Sequence, residues 1–515
     1  MKSLPLIAVS GLMLLASCQT ETEKKNNTEE SGKPNIILIL ADDLGFSDIG
    51  CFGSEIHTPN LDSLAENGIR FINIHNTSKC FPSRACLLTG LYAQQVGYGR
   101  THTNPITNGA TFGEVLRPAG YRTLWAGKHH GPENPIYRGF DRYYGLKDGA
   151  TNYFNPGKQR PGEGKPAQKR DDRKWCIDSV MYAPYTPEAE DFYVTDYFTN
   201  YALDWLEEYK NEDKPYILYL AYTAPHDPLQ AWPEDIARYK GKYMQGYEEI
   251  RKARFEKQKR IGLLDDRFEL SDSVYQPWEN LPDSIKTSED LKMAVYAAMI
   301  WRMDWNIGRV LEKVREMNEQ ENTLIIFVSD NGASAEVVNI PDYGPIGSMT
   351  RWTSLGPDWA NVGNTPFRYF KNYSYEGGIR TPMIAYWPEG IKDPGRISEF
   401  PGHFIDFMAT FVDIATAVYP DSIHNQMVYP MEGVSLLPIF EGKEKSNREK
   451  PIYWQWAKGS AFLDEGWKIV KHGNNSKWEL YNMKKNPTET KDLATEYPEK
   501  ADSMVRAFES WRSLY

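Results

Sequence analysis

The sequence predicts a doubly wound α/β sheet with helices on both faces, followed by a small antiparallel sheet with a closing helix. Three observations predict this fold class. Continuous apolar runs are typical of strands that are buried on both faces of a sheet. Segments with helical spacing of apolar residues alternate with these runs, as in βαβ units. After residue 446 the apolar runs become short and are separated by turn residues.

The predicted elements follow one another in a regular order along the chain. Apolar runs predict strands at residues 34–40, 122–126, 214–222, 323–328 and 382–387. Periodic patterns predict helices at residues 61–68, 112–119, 195–209, 292–317 and 404–418. The closing unit is predicted to contain strands at residues 451–456, 461–472 and 478–483, and a helix at residues 498–511.

Composition and charge exclude several classes of protein. The 515 residues are 41% hydrophobic and 25% charged, which excludes a mainly disordered chain and a polytopic membrane protein. The formal net charge of −11 gives no general attraction for nucleic acid. Five cysteines do not make a disulfide scaffold. We expect Cys86 to be buried, while Cys51 and Cys176 can form a disulfide only if the fold brings them together.

The first residues predict an exported, lipid-anchored chain. Residues 1–17 combine a basic start with an apolar stretch that is too short to span a membrane, as in a signal peptide. This stretch ends Leu15-Ala16-Ser17-Cys18, which resembles the bacterial lipobox, whose cysteine is lipidated. Residues 18–33 are polar and predict a flexible tether. We expect a lipoprotein of the bacterial cell envelope, in the outer membrane on its periplasmic side or cell surface; the alternative is an ordinary signal peptide that contains a cysteine.

Polar side chains follow several of the predicted strands directly. They are Asp42, Asp43, Lys128, His130, His226, Asp330 and Asn331. In an open α/β sheet, ligands bind outside the carboxyl ends of the strands. We therefore expect these side chains to converge on one site, although Asp42-Asp43 and Asp330-Asn331-Gly332 alone are equally consistent with ordinary turns, and Lys128 alone with a solvated surface charge.

A further candidate site residue, Cys80, lies at the start of a predicted helix. Residues 80–90 read CFPSRACLLTG, and Pro82 suits the first turn of a helix. Cys80 would then lie at the helix N-terminus, where the dipole and the free N–H groups favour an anion. Taken alone, such a cysteine is more often structural.

Seven motifs in chain order carry a resemblance. The pattern C-x-P-S-R-A-x-L-L-T-G at residues 80–90 resembles the signature of the type I, formylglycine-dependent sulfatases. The other motifs are Asp42-Asp43, G-K-x-H at 127–130, P-H-x-P at 225–228, Asp330-Asn331-Gly332, Lys371 upstream of E-G-G-x-R-x-P at 376–382, and W-E-L-Y at 478–481. The G-K-x-H motif has His129 at its variable position and His130 at its functional position. The resemblance implies an alkaline-phosphatase-like mixed sheet, with a catalytic domain at 34–445 and a C-terminal subdomain at 446–515.

The resemblance also implies the cofactors. In the family, the motif cysteine is oxidised to formylglycine by a dedicated maturing enzyme, either a formylglycine-generating enzyme or an anaerobic maturase; here that residue is Cys80. Asp42, Asp43, Asp330 and Asn331, with the side chain of residue 80, would hold one metal ion. These hard oxygen ligands suit Ca²⁺, with Mg²⁺ as the alternative, and not Zn²⁺.

The remaining motif residues acquire roles by the same resemblance. The hydrated formylglycine attacks sulfur, and the sulfated intermediate then releases sulfate. Arg84 would hold the nucleophile, and Lys128 and Lys371 would bind sulfate oxygens. His226 would bind the substrate and protonate the leaving oxygen, and His130 would assist the release of sulfate. The other histidines, His102 among them, are predicted to be structural.

The function predicted from the sequence is therefore hydrolysis of a sulfate ester on a sulfated carbohydrate. We expect exo action, and the segment Asn364–Arg368 resembles members that act on galactose-type sugars. Residues 157–174 are rich in basic residues and would either guide an anionic glycan or form a solvated loop. Two alternatives remain open: a phosphonate or phosphate monoester hydrolase with the same nucleophile, and a non-catalytic lipoprotein that binds sulfated glycans.

Overall fold

The structure is a computed structural model that describes Met1 and residues 32–443 and 448–515. The chain divides into two units, Met1–Gly32 and Lys33–Tyr515, and the architecture below is that of the second. The predicted signal peptide, Cys18 and nearly all of the predicted tether lie outside the described residues. Within the described part, no helix is both long enough and apolar enough to cross a bilayer.

A mixed sheet of eleven strands forms the centre of the molecule. Its strands are β1 (Asn35–Asp42), β2 (Ile69–His75), β3 (Arg122–Gly127), β4 (Arg142–Leu146), β5 (Trp175–Ile177), β6 (Val180–Tyr182), β7 (Tyr216–Pro225), β8 (Thr323–Ser329), β9 (Arg380–Tyr386), β10 (Ile397–Ser398) and β11 (Gly402–His403). The order is β10-β2-β9-β8-β1-β7-β3-β4-β5-β6, and β11 also pairs with β2. The strands from β8 to β4 run parallel, whereas β9 is antiparallel to both of its neighbours.

Helices cover both faces of this sheet. They are α1 (Pro59–Glu66), α2 (Cys80–Thr89), α3 (Phe112–Leu116), α4 (Val194–Tyr209), α5 (Pro233–Ala237), α6 (Tyr247–Arg260), α7 (Asp283–Glu316), α8 (Pro357–Gly363), α9 (Glu376–Ile379), α10 (Asp406–Ala415), α11 (Leu437–Phe440) and α12 (Pro498–Arg512). Alternate residues of β1 enter different cores: Ile37 and Ile39 pack in the cluster with α1, α4 and α7, while Ile36 and Leu38 pack in the cluster with α2, α3 and α10. The predicted fold class is confirmed.

The longest helix begins well before its predicted start. The periodic pattern predicts a helix from residue 292, but α7 begins at Asp283. Its first turns carry mostly polar and charged residues, so no apolar stripe marks them in the sequence. The buried Asp290 instead anchors them by accepting hydrogen bonds from the backbone N–H groups of Gly241 (2.8 Å) and Tyr243 (2.8 Å).

A four-stranded antiparallel sheet closes the chain, with α12 packed on it. Its strands are β14 (Ile452–Trp456), β15 (Gly459–Asp464), β16 (Trp467–His472) and β17 (Glu479–Asn482), and they follow a small hairpin of β12 (Ser422–Ile423) and β13 (Gln426–Met427). The prediction of one strand at 461–472 is wrong, because β15 and β16 form a hairpin there. Its turn residues, Glu465 and Gly466, both have positive φ, and the prediction overlooked the turn signal Asp464-Glu465-Gly466 between the two apolar runs.

A buried ionic cluster joins this closing sheet to the central sheet. Lys468, which is fully buried on β16, donates from Nζ to Glu376 Oε1 (2.5 Å) and Glu489 Oε1 (2.7 Å). The other oxygen of Glu376 bonds Arg380 Nε (2.5 Å) and His75 Nε2 (3.1 Å). Because these groups are withdrawn from water, each depends on its partner to offset the cost of desolvation.

Replacing Lys468 with alanine should therefore destabilise the protein strongly. The change leaves two buried carboxylates without their shared cation, and we expect a loss of about 3–5 kcal/mol in the free energy of unfolding. Urea denaturation followed by tryptophan fluorescence measures this loss. The matched control is Lys458→Ala on an exposed turn, which should change the same quantity by about 0.5 kcal/mol or less. Equal effects of the two substitutions would contradict a stabilising role for the cluster.

Candidate active site

Four adjacent parallel strands end beside the same edge of the central sheet. In sheet order β8, β1, β7 and β3 are followed by Asp330-Asn331, Asp43, His226 and Lys128 respectively, and Asp42 is the last residue of β1. The convergence expected from the strand ends is therefore present. Gly127, which precedes Lys128, allows β3 to lie this close to β7, since a Cβ on it would lie 2.0 Å from the carbonyl oxygen of Ala221 on β7.

The carboxylates and the amide form one buried network. The backbone N–H of Asp43 donates to Asp330 Oδ1 (3.3 Å), and Asn331 Nδ2 donates to Asp43 Oδ1 (2.6 Å). Asp43 adopts a positive φ of 64°, a strained conformation that is common at functional sites. These bonds join three of the predicted metal ligands, Asp43, Asp330 and Asn331, and Asp42 directly precedes Asp43 at the end of β1.

Two observations fit a hard divalent cation at this network. Asp42 Oδ1 and Asn331 Oδ1 are buried oxygens without a hydrogen-bond partner among the described residues. Asp42, Asp43, Cys80 and His226 each offer one ligand atom, and these atoms all lie within 4.8 Å of one another. Buried oxygens without partners are unfavourable unless a donor or a cation satisfies them. The carboxylate and amide oxygens of this site suit Ca²⁺ or Mg²⁺, while Cys80 and His226 contribute a sulfur and a nitrogen atom to the same group.

Burial and the charged side chains around the network shift the pKa values of Asp42 and Asp330 in opposite directions. Burial acts to raise the pKa of Asp42, but the neighbouring charges, of which that of Lys128 is the largest, lower it more and hold it below its usual range. Asp330 differs, because burial and the negative charge of Asp42 raise its pKa above the usual range despite the opposing effect of Arg84. The pair therefore keeps Asp42 ionised and makes Asp330 the weaker acid.

Cys80 is the first residue of α2 and lies beside the network. Its thiol is 1% exposed, and Sγ lies 3.9 Å from Asp43 Oδ1. The loop before it is held by hydrogen bonds from Thr77 N–H to Ser83 Oγ (3.0 Å) and from Asn372 N–H to the carbonyl of Ser78 (2.8 Å). Burial raises the pKa of the thiol to about 12, although Lys128 and Lys371 oppose the rise.

Arg84, one turn further along α2, ties this helix to the strand ends. Its Nε donates to Asp330 Oδ2 (2.9 Å), and its Nη1 donates to the carbonyl of Lys128 (3.0 Å). Its Nη2 lies 2.8 Å from Asp330 Oδ2 and 3.7 Å from Asp42 Oδ2. The guanidinium thereby holds α2, β8 and β1 in a fixed relation, and Cys80 with them.

Two buried lysines lie against opposite sides of the Asp42–Asp43 pair. Lys128 Nζ donates to Asp42 Oδ2 (2.5 Å), and Lys371 Nζ donates to Asp43 Oδ2 (2.8 Å). Lys371 also pairs with Glu336 Oε2 (3.0 Å). Burial works against the charge of Lys371, but the carboxylates outweigh it and raise its pKa. Both ammonium groups are therefore available as fixed positive charges beside Cys80.

His226 presents one ring nitrogen to this cluster. Its Nδ1 lies 2.5 Å from the carbonyl oxygen of Asp227 and 3.1 Å from Asp227 Oδ1. Since both partners are acceptors, the network assigns a hydrogen to Nδ1 and leaves Nε2, 3.6 Å from Asp43 Oδ2, for proton transfer. Asp227 is itself fixed by Trp352 Nε1 (3.1 Å) and Ser354 Oγ (2.5 Å).

The comparison with known proteins decides which family has this arrangement. A family model described as Sulfatase matches residues 34–417, which is most of the chain. The chain belongs to the sulfatase family. A second model, described as the C-terminal part of N-sulphoglucosamine sulphohydrolase, matches residues 366–509.

Individual relatives agree with this membership. The sulfatase is similar to an arylsulfatase of Klebsiella aerogenes, with 34% identity over 452 residues that cover 81% of this chain and 94% of the relative. It is 26% identical to N-acetylglucosamine-6-O-sulfatase of Bacteroides thetaiotaomicron, over 99% of this chain and 90% of the relative. The solved structure of Ps i-CgsB in complex with k-i-k-neocarrahexaose matches it with a TM-score of 0.69 and 27% identity, covering 93% and 92% of the two chains. The sulfatase is a sulfuric ester hydrolase, and the predicted family and enzyme class are confirmed.

Two motifs of the sulfatase are adjacent although they are far apart in sequence. The backbone N–H of Gly332 donates to the carbonyl of Gly378 (3.1 Å). A Cβ on Gly332 would lie 1.9 Å from the carbonyl oxygen of Gly377. Gly332 must therefore be glycine because its backbone touches that of the E-G-G motif. The next residue, Ala333, accepts a hydrogen bond at its carbonyl from the Lys371 N–H (3.1 Å), which ties the loop of Lys371 to the D-N-G motif.

Cys80, His226 and Lys371 open into a cleft of about 570 Å³. His130 lines it and adopts a positive φ of 63°, while burial, followed by the charge of Lys128, lowers its pKa. His129 lies elsewhere, with its ring 5.0 Å from that of Trp125. The structure thus brings His130, and not His129, to the cleft.

The cleft also contains residues that sequence reasoning missed. His102, predicted to be structural, lines it, with its ring 4.8 Å from His130 and 4.7 Å from Phe81. Glu336 pairs there with Lys79 (2.6 Å) and Lys371. Lys169, Arg170 and Arg173 of the basic segment 157–174 line the cleft as well. No strand end or motif marks these residues, and the basic composition of 157–174 was the only sequence signal.

The cysteines outside the site behave as expected. Cys86 is fully buried on α2. Within the described residues Cys51, Cys80, Cys86 and Cys176 are all free thiols, so no disulfide joins Cys51 to Cys176.

Proposed function

We propose that this sulfatase removes sulfate from a sulfated carbohydrate, with Cys80 converted to formylglycine by a maturing enzyme and one Ca²⁺ ion held by the strand-end oxygens. The observation that carries the proposal is the position of Cys80, at a helix N-terminus between two buried lysines and a cluster of carboxylates. The alternative ion is Mg²⁺, which suits the same oxygen ligands but requires a more regular geometry.

The environment of the thiol supports its conversion. With its pKa raised to about 12 by burial, Cys80 stays protonated at neutral pH and is a poor nucleophile as it stands. A formylglycine at this position supplies an oxygen nucleophile in place of the thiol. Mass spectrometry of the tryptic peptide that follows Lys79 and ends at Arg84 tests the conversion, which lowers the mass by about 18 Da.

The chain's own groups account for binding and proton transfer. Lys128 and Lys371 bind the sulfate oxygens and offset the negative charge that accumulates as the ester bond breaks. A divalent ion at Asp42, Asp43, Asp330 and Asn331 adds Lewis-acid charge when it is bound. Arg84 holds the residue at position 80 in place. His226, in its imidazolium form with hydrogens on both Nδ1 and Nε2, donates the Nε2 proton to the leaving oxygen, and the neutral His130 accepts a proton during sulfate release.

A carbohydrate substrate is supported by two relatives. Their names specify an N-acetylglucosamine-6-O-sulfatase and a protein in complex with a neocarrahexaose. We propose exo action on a terminal sugar, with a galactose-type sugar as the first choice. The segment Asn364–Arg368, which suggested galactose, packs elsewhere: Arg368 Nη1 donates to Tyr481 Oη (3.0 Å) and Asn364 Oδ1 accepts from Ala333 N–H (3.0 Å). The galactose choice therefore depends on the resemblance alone.

The location of the enzyme is part of the proposal. We propose that residues 1–17 direct export and that lipidated Cys18 anchors the enzyme to the cell envelope, where polymeric glycans are accessible. Labelling with a radioactive fatty acid in cells tests the anchor, and Cys18→Ala should remove both the label and the membrane association.

Comparative rates on one alcohol test the reaction class. Sulfate, phosphate and phosphonate esters of 4-nitrophenol differ only in the transferred group, so their kcat/KM values measure the preference of the site directly. We expect the sulfate ester to react fastest. A faster phosphonate or phosphate ester would replace the proposal with the monoester hydrolase alternative, and binding of sulfated glycans without release of sulfate would favour the non-catalytic one.

The role of His226 gives a prediction that depends on the leaving group. His226→Gln should lower kcat on a sugar sulfate by about 10²- to 10⁴-fold, because a sugar alkoxide needs a proton to leave. The loss should be much smaller on 4-nitrophenyl sulfate, whose phenolate leaves unaided. Stopped assays of released sulfate measure both rates. His57→Gln, at an exposed position, is the control and should change neither rate. Equal losses on both substrates would contradict the proton-donor role.

A further inference from the structure

Arg173 differs from the other buried arginines. Within the described residues six arginines are buried: Arg84, Arg138, Arg173, Arg251, Arg254 and Arg380. Four of them bond carboxylates, and a fifth, Arg251, bonds Ser271. Arg173 as a whole residue is 7% exposed, its side chain has no hydrogen bond or ion pair within the described residues, and its Nε is a buried donor without a partner.

The position of Arg173 is fixed by the edge of the sheet. It precedes β5, which pairs with β4 from Leu146 to Tyr144. The backbone N–H of Lys147 donates to the carbonyl of Lys174 (2.9 Å), and His129 N–H donates to the carbonyl of Leu146 (2.8 Å). The segment that holds Arg173 is thus connected, through β4, to the segment that carries Lys128 and His130.

The cleft supplies no carboxylate to Arg173. Of its three carboxylates, Glu336 pairs with Lys79 and Lys371, and Asp227 is held by His226, Trp352 and Ser354. Asp148 Oδ2 accepts the backbone N–H of Lys174 (2.6 Å). Burial lowers the pKa of Arg173, and the negative charge of Asp148 offsets only part of this decrease. A buried guanidinium without a counter-ion is unfavourable, so it is a ready site for an anion from outside the chain.

We infer that Arg173 forms a second anion subsite in the cleft and binds a sulfate or carboxylate group of the substrate other than the one that is hydrolysed. The inference rests on the proposed function, in which the scissile sulfate lies between Lys128, Lys371 and residue 80. The cleft volume of about 570 Å³ is within the range of small-ligand sites. The preferred substrate is therefore a carbohydrate with at least two negative groups on the same or adjacent sugars.

Matched substrates test the inference. The rates of sulfate release are compared for a monosulfated sugar, the same sugar with a second sulfate, and the same sulfated sugar linked to a uronate. In the wild-type enzyme, kcat/KM should be about 10- to 100-fold higher for at least one doubly charged substrate, as expected for a hydrogen-bonded ion pair. The two doubly charged substrates distinguish a sulfate-specific subsite from a carboxylate-specific one.

Variants then assign the preference to Arg173. Arg173→Gln should reduce the ratio of doubly to singly charged rates to within about threefold of unity, and Arg173→Lys should retain part of it. Arg117→Gln is the control, since Arg117 is an exposed arginine that does not line the cleft and pairs with Asp141 (3.0 Å). It should leave the ratio within about twofold of the wild-type ratio. Because Arg173→Gln removes an unpaired buried charge, its melting temperature should equal or exceed that of the wild type.

The failures of the two proposals are distinguishable. Sulfate release from all three substrates at equal rates would overturn the second subsite and leave the sulfatase function intact. A wild-type preference that survives Arg173→Gln would overturn the assignment to Arg173. Absence of sulfate release from every substrate, with Cys80 converted, would instead overturn the proposed function.

Discussion

Cys80→Ala is expected to abolish sulfate-ester hydrolysis, lowering kcat by about 10⁴-fold or more while the protein stays folded. Hydrolysis depends on a nucleophile at this position, and alanine supplies none. The fold should tolerate the change because, within the described residues, the one side-chain hydrogen bond of Sγ is long, 3.9 Å to Asp43 Oδ1, while Arg84 holds α2 to the strand ends. Initial rates on 4-nitrophenyl sulfate and the thermal melting temperature together measure the two effects.

Cys86→Ala is the matched control for this substitution. Cys86 is also a buried thiol on α2, but it packs in the apolar core and does not line the cleft. Its replacement should cost about 1 kcal/mol of stability and leave the rate nearly unchanged. If Cys80→Ala kept hydrolysis within tenfold of the wild-type rate, residue 80 would not be the nucleophile. A wild-type sample whose peptide lacks the 18 Da loss should behave like Cys80→Ala, which links the activity to conversion of the thiol.

Removal of the divalent ion is expected to have the second largest effect. Prolonged dialysis against a chelator should lower kcat by about 10³-fold or more, since Lewis-acid stabilisation contributes several kcal/mol. Ca²⁺ should restore the rate fully, Mg²⁺ in part, and Zn²⁺ not at all, because the ligands are carboxylate and amide oxygens. The stripped protein should stay folded, since Arg84, Lys128 and Lys371 continue to pair with the carboxylates.

Calorimetric titration of the stripped protein with Ca²⁺ separates binding from catalysis. Asp42→Asn removes one ligand charge at the unpartnered Oδ1 and should weaken Ca²⁺ binding by at least about tenfold. Asp304→Asn is the matched control, because Asp304 is equally buried but accepts hydrogen bonds from Asn60 and Leu61, away from the network. A stripped enzyme that retains full activity, or equal Ca²⁺ affinity in both variants, would contradict the proposed metal site.

Parts of the site could be predicted from the sequence because they occupy strand ends. Asp42, Asp330 and His226 follow apolar runs directly, and parallel strands bring their carboxyl ends to one edge. Cys80 and Lys371 lie on a helix start and a loop, so only the motif resemblance indicated them. His102 carries no local pattern and Arg173 only the basic composition of residues 157–174, and it is their place in the cleft that marks them individually.

The fold shows the same division. Strands β1, β7 and β8 were predictable because burial on both faces requires an unbroken apolar run. The antiparallel direction of β9, the hairpin of β15 and β16, and the early start of α7 were not, since each depends on partners distant in sequence or on a turn conformation.

The amino-acid sequence by itself determined the layered α/β architecture, the ends of the central strands and the residue types available for sulfate chemistry, because local hydrophobic pattern and side-chain chemistry are properties of short segments. Only the tertiary structure decided which charges neutralise one another. It paired Lys128 with Asp42, Lys371 with Asp43 and Arg84 with Asp330, and among the described residues it left Arg173 without an ion-pair partner. The energy of a buried charge depends on neighbours that folding brings within a few ångströms from remote parts of the chain.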